Sequence, residues 1–148
     1  MLFGDAANDR LFSEGGNDVL AGGDGDDWLF GGQGRDLLIG GRGRDWLFGI
    51  QDDDLLIGGT TSHENREESL RMLMAEWKSD SGYDVRSQTI QNGNGSNLAR
   101  SGVSLRKNIS VFDDGDQDRM LGQSGRDLFF AGLNDLIVGG ANNELVIQ

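Results

Sequence analysis

From residue 22 to residue 57 the chain repeats one pattern: a glycine-rich polar stretch of six residues, then three apolar ones. The apolar triplets are Trp28-Leu29-Phe30, Leu37-Leu38-Ile39, Trp46-Leu47-Phe48 and Leu55-Leu56-Ile57, and an aspartate precedes each: Asp27, Asp36, Asp45 and Asp54. Glycine-rich polar stretches favour turns, because glycine tolerates positive φ and loses much entropy in a strand. The triplets suit short strands. A unit is therefore turn plus strand, and two units of nine residues close a coil with one strand on each side. Successive coils then stack in parallel at about 4.8 Å per step. A short fixed period of this kind is the signature of a solenoid.

The eighth position of each unit (Leu20, Leu29, Leu38, Leu47, Leu56, Val111, Met120, Phe129) is predicted to point inward, between two small sheets. Positions seven and nine then face outward. Trp28 and Trp46 form one column and Phe12, Phe30 and Phe48 the next, with Leu37, Leu55, Ile39 and Ile57 on the opposite sheet. Exposed apolar ladders call for a cover.

Eleven units can be counted. Gly4–Phe12 and Ser13–Ala21 are degenerate, Gly49–Ile57 carries Ile50 and Asp52 where glycine stands elsewhere, and the unit at Gly139–Ile147 has Glu144 for aspartate. The pattern breaks after Gly58-Gly59-Thr60 and returns at Ser110-Val111-Phe112. The expected organisation is a roll over 4–57, an insertion within one turn over 58–109, and a second roll segment over 110–147. If the insertion only enlarges that seventh turn, the alternation of edges survives it, and Asp54 stacks on Asp118. Within the insertion, Leu70, Leu73, Met74 and Trp77 fall at i, i+3, i+4 and i+7, predicting an amphipathic helix from about 64 to 78. Thr61 and Ser62 supply N-cap oxygens ahead of Glu64, Glu67 and Glu68. The polar stretch from Ser79 to Ser104 reads as loop or irregular hairpin. The helix stripe can cover one sheet and leaves the other for a partner.

Stacking places the sixth-position aspartates of units eighteen residues apart above one another. Unscreened carboxylates repel in such a column. A hard divalent cation with oxygen ligands relieves this, as calcium accepts both carboxylates and carbonyls. The net charge is −12 over 148 residues, which argues against nucleic acid and anionic membranes as partners. Cysteine is absent, so neither disulfides nor thiolate metal sites form. The N-terminus lacks a basic and apolar signal region, and no apolar run has transmembrane length. A start on a weak repeat with no capping unit is read as the end of something larger.

The string G-G-x-G-x-D-x-U-x, with U a large apolar residue, resembles the RTX calcium-binding repeat. The resemblance implies a right-handed parallel β-roll, all-β apart from an inserted segment with one amphipathic α-helix. It also implies a bacterial protein secreted by the type I route, with calcium as cofactor in several copies, about four to seven. In that family an ion lies between two turns one coil apart, held by both sixth-position aspartates and by main-chain carbonyls of positions one to four. Carried to this chain, the metal ligands are Asp18 with Asp36, Asp27 with Asp45, Asp36 with Asp54, Asp118 with Asp135, and Asp127 with Glu144. The carbonyl donors are Gly22, Gly23, Asp24, Gly25, Gly31, Gly32, Gln33, Gly34, Gly40, Gly41, Arg42 and Gly43. The tenth unit is one residue short and Glu144 is longer than aspartate, so the last two pairs depart from the pattern.

An EF-hand over Asp114, Asp116 and Asp118 fails, because Arg119 and Gly125 stand where its glycine and glutamate belong. His63, the sole histidine, has no catalytic constellation beside Ser62 or Ser69 and is expected on the surface. Arg35, Arg44 and Arg126 at position five are expected to be solvated, offsetting acidic edges. Glu144-Leu145-Val146-Ile147 reads either as a secretion signature or as a degenerate last repeat. Three functions compete: a calcium-triggered folding module, a surface adhesin or assembly module using the apolar ladders to hold a neighbouring domain or second copy, and an enzyme sited in the insertion. The first is preferred, and no enzymatic role is expected.

Overall fold

The structure, a computed structural model, describes residues 1–95, 98–108, 110–138 and 144–148. The repeat units generate short strands in parallel register: β1 (Leu2–Ala6), β2 (Arg10–Phe12), β3 (Val19–Asp24), β4 (Trp28–Gly32), β5 (Leu37–Arg42), β6 (Trp46–Ile50) and β7 (Leu55–Ile57). After the insertion come β10 (Arg119–Gln123), β11 (Leu128–Phe130), β12 (Leu136–Ile137) and β13 (Leu145–Ile147). One sheet runs β1-β3-β5-β7-β11-β13 and the other β12-β10-β6-β4-β2. Neighbours in each sheet are eighteen residues apart within the first segment, as in Leu20 opposite Leu38 and Trp28 opposite Trp46. The architecture is a parallel β-roll.

Between the sheets, Leu20, Leu29, Leu38, Leu47, Leu56, Met120 and Phe129 form a fully buried core. Val111 departs from the expectation. With Phe112 it forms β9, which pairs antiparallel with β8 (Thr60–Thr61) outside both sheets, and its side chain joins the insertion's core. The Ser110-Val111-Phe112 triplet is therefore not a strand of the roll. The insertion replaces a whole turn-and-strand unit, not one turn, and this shifts the parity. β10 follows β6 and β11 follows β7, so Asp118 lies over Asp45 instead of Asp54. The expected resumption of the roll at 110 moves past β9, to the turn that carries Asp118.

The insertion folds as α1 (Glu67–Trp77), α2 (Tyr83–Asn92) and α3 (Leu98–Ser101). Thr61 and Ser62 do not cap α1, which begins after Arg66 without a side-chain cap. The Glu64 carboxylate instead accepts the Thr61 amide at 3.0 Å. The polar stretch read as a loop contains α2 and α3. α2 ends at Gly93, which adopts the left-handed conformation at φ 65°. His63 is buried too, with its Nε2 3.1 Å from the Ser104 carbonyl oxygen.

Leu70, Leu73, Met74 and Trp77 of α1, with Tyr83 and Ile90 of α2, pack on Leu37, Ile39, Leu55, Ile57, Leu128 and Phe130. The insertion thus covers the outer face of the odd-numbered sheet. The outer face of the other sheet keeps its aromatic ladders open, with Phe12 57 % and Trp28 36 % exposed.

Candidate metal centre

The turns are shaped by glycine where no other residue fits. Gly23 has φ +111°, and a Cβ there would run into the Asp5 carbonyl of the preceding coil. A Cβ on Gly22 would strike the Asp27 carboxylate and come within 2.5 Å of the Gly40 carbonyl oxygen. The missing side chains leave room for backbone carbonyls to crowd round one carboxylate per turn. Where Gly49-Ile50-Gln51-Asp52 departs from the pattern, Ile50 and Asp52 still take positive φ, 89° and 69°.

Each sixth-position aspartate divides its two oxygens. Oδ1 accepts the amide of the equivalent aspartate in the preceding coil: Asp9 to Asp27 at 2.7 Å, and Asp18 to Asp36, Asp27 to Asp45 and Asp36 to Asp54 at 2.8 Å. The column continues across the insertion, with the Asp45 amide donating to Asp118 and the Asp54 amide to Asp127, both at 2.8 Å. Asp118 in turn donates to Asp135 at 3.1 Å. One edge of the roll therefore carries Asp9, Asp27, Asp45, Asp118 and Asp135, and the other Asp18, Asp36, Asp54 and Asp127. This corrects the expected order, in which Asp118 followed Asp54 and Asp127 followed Asp45. The pairs Asp18–Asp36, Asp27–Asp45, Asp36–Asp54 and Asp118–Asp135 do adjoin. Glu144 lies near enough to the Asp127 carboxyl for its charge to raise it. The residues before it, 139–143, lie outside the described residues.

Oδ2 is the unusual atom. In Asp27, Asp36, Asp45, Asp54, Asp118 and Asp127 it is buried with no hydrogen-bond partner. A buried acceptor left unmatched costs about 1–3 kcal/mol, and more when charged. Burial, the largest cause, pushes these carboxyls up from the ordinary 3.8: Asp36, Asp118 and Asp127 to about 7, Asp45 to about 8 and Asp54 to about 9. Asp27 and Asp135 rise for the same reason. Accepted amide bonds oppose the shift, and neighbouring carboxylates reinforce it.

Among the described residues no three carboxylate or imidazole side chains converge. An oxygen shell would have to be completed by carbonyls, as in the turns Gly22-Gly23-Asp24-Gly25, Gly31-Gly32-Gln33-Gly34 and Gly40-Gly41-Arg42-Gly43. The position-three carbonyls of Asp24, Gln33 and Arg42 already accept amides of Ala7, Gly16 and Gly25 at 2.8–2.9 Å, and each keeps a second lone pair. The Asp24 and Arg42 side chains face solvent and lie 3.5 Å apart. Orphaned hard oxygens, carbonyls and no soft ligand form a donor set that fits calcium.

The pattern did not disclose how the insertion grips this edge. The Trp77 indole donates to the Asp53 carbonyl and the Tyr83 hydroxyl to the Asp127 carbonyl, both at 2.8 Å. Arg86, almost fully buried, pairs with the Asp53 carboxylate. Arg35 donates to the Ser79 carbonyl at 2.9 Å, and Arg126 stacks on Tyr83 and pairs with Asp84. Two of the three position-five arginines thus fasten the insertion and are not merely solvated. Arg44 stays exposed, paired with Asp26.

Residues 3–38 and 30–60 match the family model of the RTX calcium-binding nonapeptide repeat in four copies. No curated protein and no solved structure matches the chain significantly. Proteins of this family bind calcium through such repeats, and the stacked aspartates and glycine turns on both edges of the roll are the features in which residues 3–60 are similar to the RTX calcium-binding nonapeptide repeat family.

Proposed function

We propose that the chain is a calcium-triggered folding module of a protein exported by type I secretion. The carrying observation is the set of six buried, unpartnered Oδ2 atoms. Ionised, these oxygens repel one another along the edges. The aspartates of adjacent coils and the carbonyls of the glycine turns would hold a calcium ion, whose positive charge would let these carboxyls ionise inside the fold, and the Oδ1–amide bonds fix the carboxylate orientation.

Where calcium is scarce, a chain of net charge −12 gains little from compaction and stays threadable. Outside the cell, at ten times the dissociation constant, each site adds about 1.4 kcal/mol to folding. Several such sites match the 5–15 kcal/mol stability of a typical domain. Equilibrium dialysis is the test. Several calcium ions per chain that resist an equal concentration of magnesium support the reading, and one ion or none contradicts it.

An adhesin or assembly role is the second reading, favoured by the aromatic sheet that the insertion leaves uncovered. The roll and the insertion then divide the work: the roll folds with calcium and the open face binds a partner.

A further inference from the structure

Along each edge a regular bond joins the turns of successive coils at position three. The amides of Ala7 and Gly25 donate to the carbonyls of Asp24 and Arg42 on one edge, and that of Gly16 donates to the carbonyl of Gln33 on the other. One coil further on, both edges change partner. The Gly43 amide donates to Asp114 Oδ2 at 2.8 Å, and the Gly34 amide to Asp52 Oδ2 at 3.2 Å. A side-chain carboxylate stands where the earlier turns have a backbone carbonyl. The sequence explains both exchanges. Asp52 holds position four of its turn, at φ 69°, where Gly34 and Gly43 stand in theirs. On the other edge Thr60, third after Ile57, leaves the roll in β8 to pair with Phe112. The chain re-enters that turn after the insertion, with Asp114 ahead of Asp118. Gly58 and Asp118 still share the turn: an added Cβ on Gly58 would lie 2.6 Å from Asp118 Oδ2.

Each of these carboxylates lies by a pair of stacked aspartates. Asp114 is near enough for its charge to raise Asp45 and Asp118, and Asp52 does the same to Asp36 and Asp54. Those four aspartates are at most 1 % exposed, and their Oδ2 atoms have no hydrogen-bond partner. A Cβ on Gly40 would meet both Asp45 Oδ2 and the Gly58 carbonyl oxygen, and one on Gly31 both Asp36 Oδ2 and the Gly49 carbonyl oxygen. The orphaned oxygens therefore face carbonyls of the coil beyond, on the level where Asp114 and Asp52 sit. Like a carbonyl, a carboxylate oxygen keeps a lone pair after accepting one amide. Unlike a carbonyl, it brings a negative charge.

We propose that the side chains of Asp52 and Asp114 are calcium ligands that the repeat does not encode, and that the two sites they join, Asp36–Asp54 and Asp45–Asp118, are the tightest of the roll. This rests on the calcium reading of the edges. The charge count of the ligands is one of the levers that set calcium affinity, and these sites carry three carboxylates where the regular pattern supplies two. Calcium takes about six to eight oxygens, so carbonyls stand between the acids, and a compact cluster of three acidic side chains is not required. The two sites lie on adjacent levels in the middle of the roll, at the pairings of β5 with β7 and β6 with β10. Loading that begins there fixes first the turn whose Asp53 holds Trp77 and Arg86 of the insertion, and the ends of the roll fill later.

The test is a chelator-competition titration of the calcium-saturated full chain, counting the ions retained as free calcium is lowered, with circular dichroism recording the fold. D52N and D114N keep an oxygen for the amide and remove the charge. D116N removes an exposed acid from the same loop as Asp114. The expected result is that the unaltered chain retains two ions at a free calcium at least tenfold below that at which the others have left. D52N and D114N each retain one, D52N/D114N none, and D116N two. Equal retention by the unaltered chain and D52N/D114N, or an ion lost in D116N as in D114N, overturns the proposal and leaves the calcium reading standing. A chain that takes up no calcium before the chelator is added overturns both.

Discussion

Asp118 receives the backbone amide of Asp45 on its Oδ1 at 2.8 Å, across 73 residues of sequence. The insertion adds 55 residues beyond the coil spacing of eighteen, and the aspartate column passes it without a break. If the two carboxylates share one ion, they act as a unit. Replacing either by alanine should raise the calcium midpoint, and the double variant D45A/D118A should fall short of the sum of the two, because the site they share is lost only once. D54A/D118A, on opposite edges, should be additive within about 0.5 kcal/mol. Calcium titrations of the five variants check this.

The pH response follows from the raised carboxyls. Their folded pKa values, about 7 to 9, exceed the unfolded 3.8. Such groups lend their stability fully below pH 3.8 and lose it as pH rises through the folded values. In chelator the melting temperature should therefore fall between pH 4 and pH 9. Calcium competes with these protons, so its affinity should climb over the same window. Thermal melts with and without calcium, read across that range, would show the two curves diverging.

Gly41 sits at φ +112° with the Gly23 backbone where its side chain would be. Gly41→Ala should cost more than the 1–2 kcal/mol of left-handed strain alone, because backbone atoms must also move. Gly82 has nothing within 4 Å of an added Cβ, and Gly82→Ala should cost under about 1 kcal/mol. Urea unfolding in calcium compares the two.

Arg86 is the latch between insertion and roll. It pairs with Asp53, donates to the Ser81 carbonyl at 2.7 Å and stacks on Trp77 at 5.2 Å. Arg86→Ala leaves Asp53 without its cation, and breaking a buried pair from one side costs about 3–5 kcal/mol. Part of that loss should appear as exposed apolar surface over Leu55 and Ile57, measured by dye binding at temperatures where the roll persists.

The roll was legible in the sequence because the repeat is a local code: glycine at fixed offsets, aspartate at six, leucine at eight. The place of the insertion was not, because Ser110-Val111-Phe112 before Asp113 imitates the strand-then-turn order of the repeat. What sets the register is the pairing of Val111 with Thr61, a tertiary fact. α2 escaped notice because its packed face includes Arg86, Ser87 and Thr89, polar residues buried by partners that no periodicity announces. Only Tyr83 and Ile90 mark its apolar side. His63 was assigned to the surface on the same grounds, and its burial depends on the Ser104 carbonyl 41 residues away.

Far-UV circular dichroism against calcium concentration, with magnesium as control, tests the central claim most directly. A cooperative gain of β-structure near the 10⁻⁴–10⁻³ M range of extracellular calcium modules, absent with magnesium, is the predicted result. A chain already folded in chelator at neutral pH would contradict it, since the six orphaned oxygens would then be accommodated without the ion.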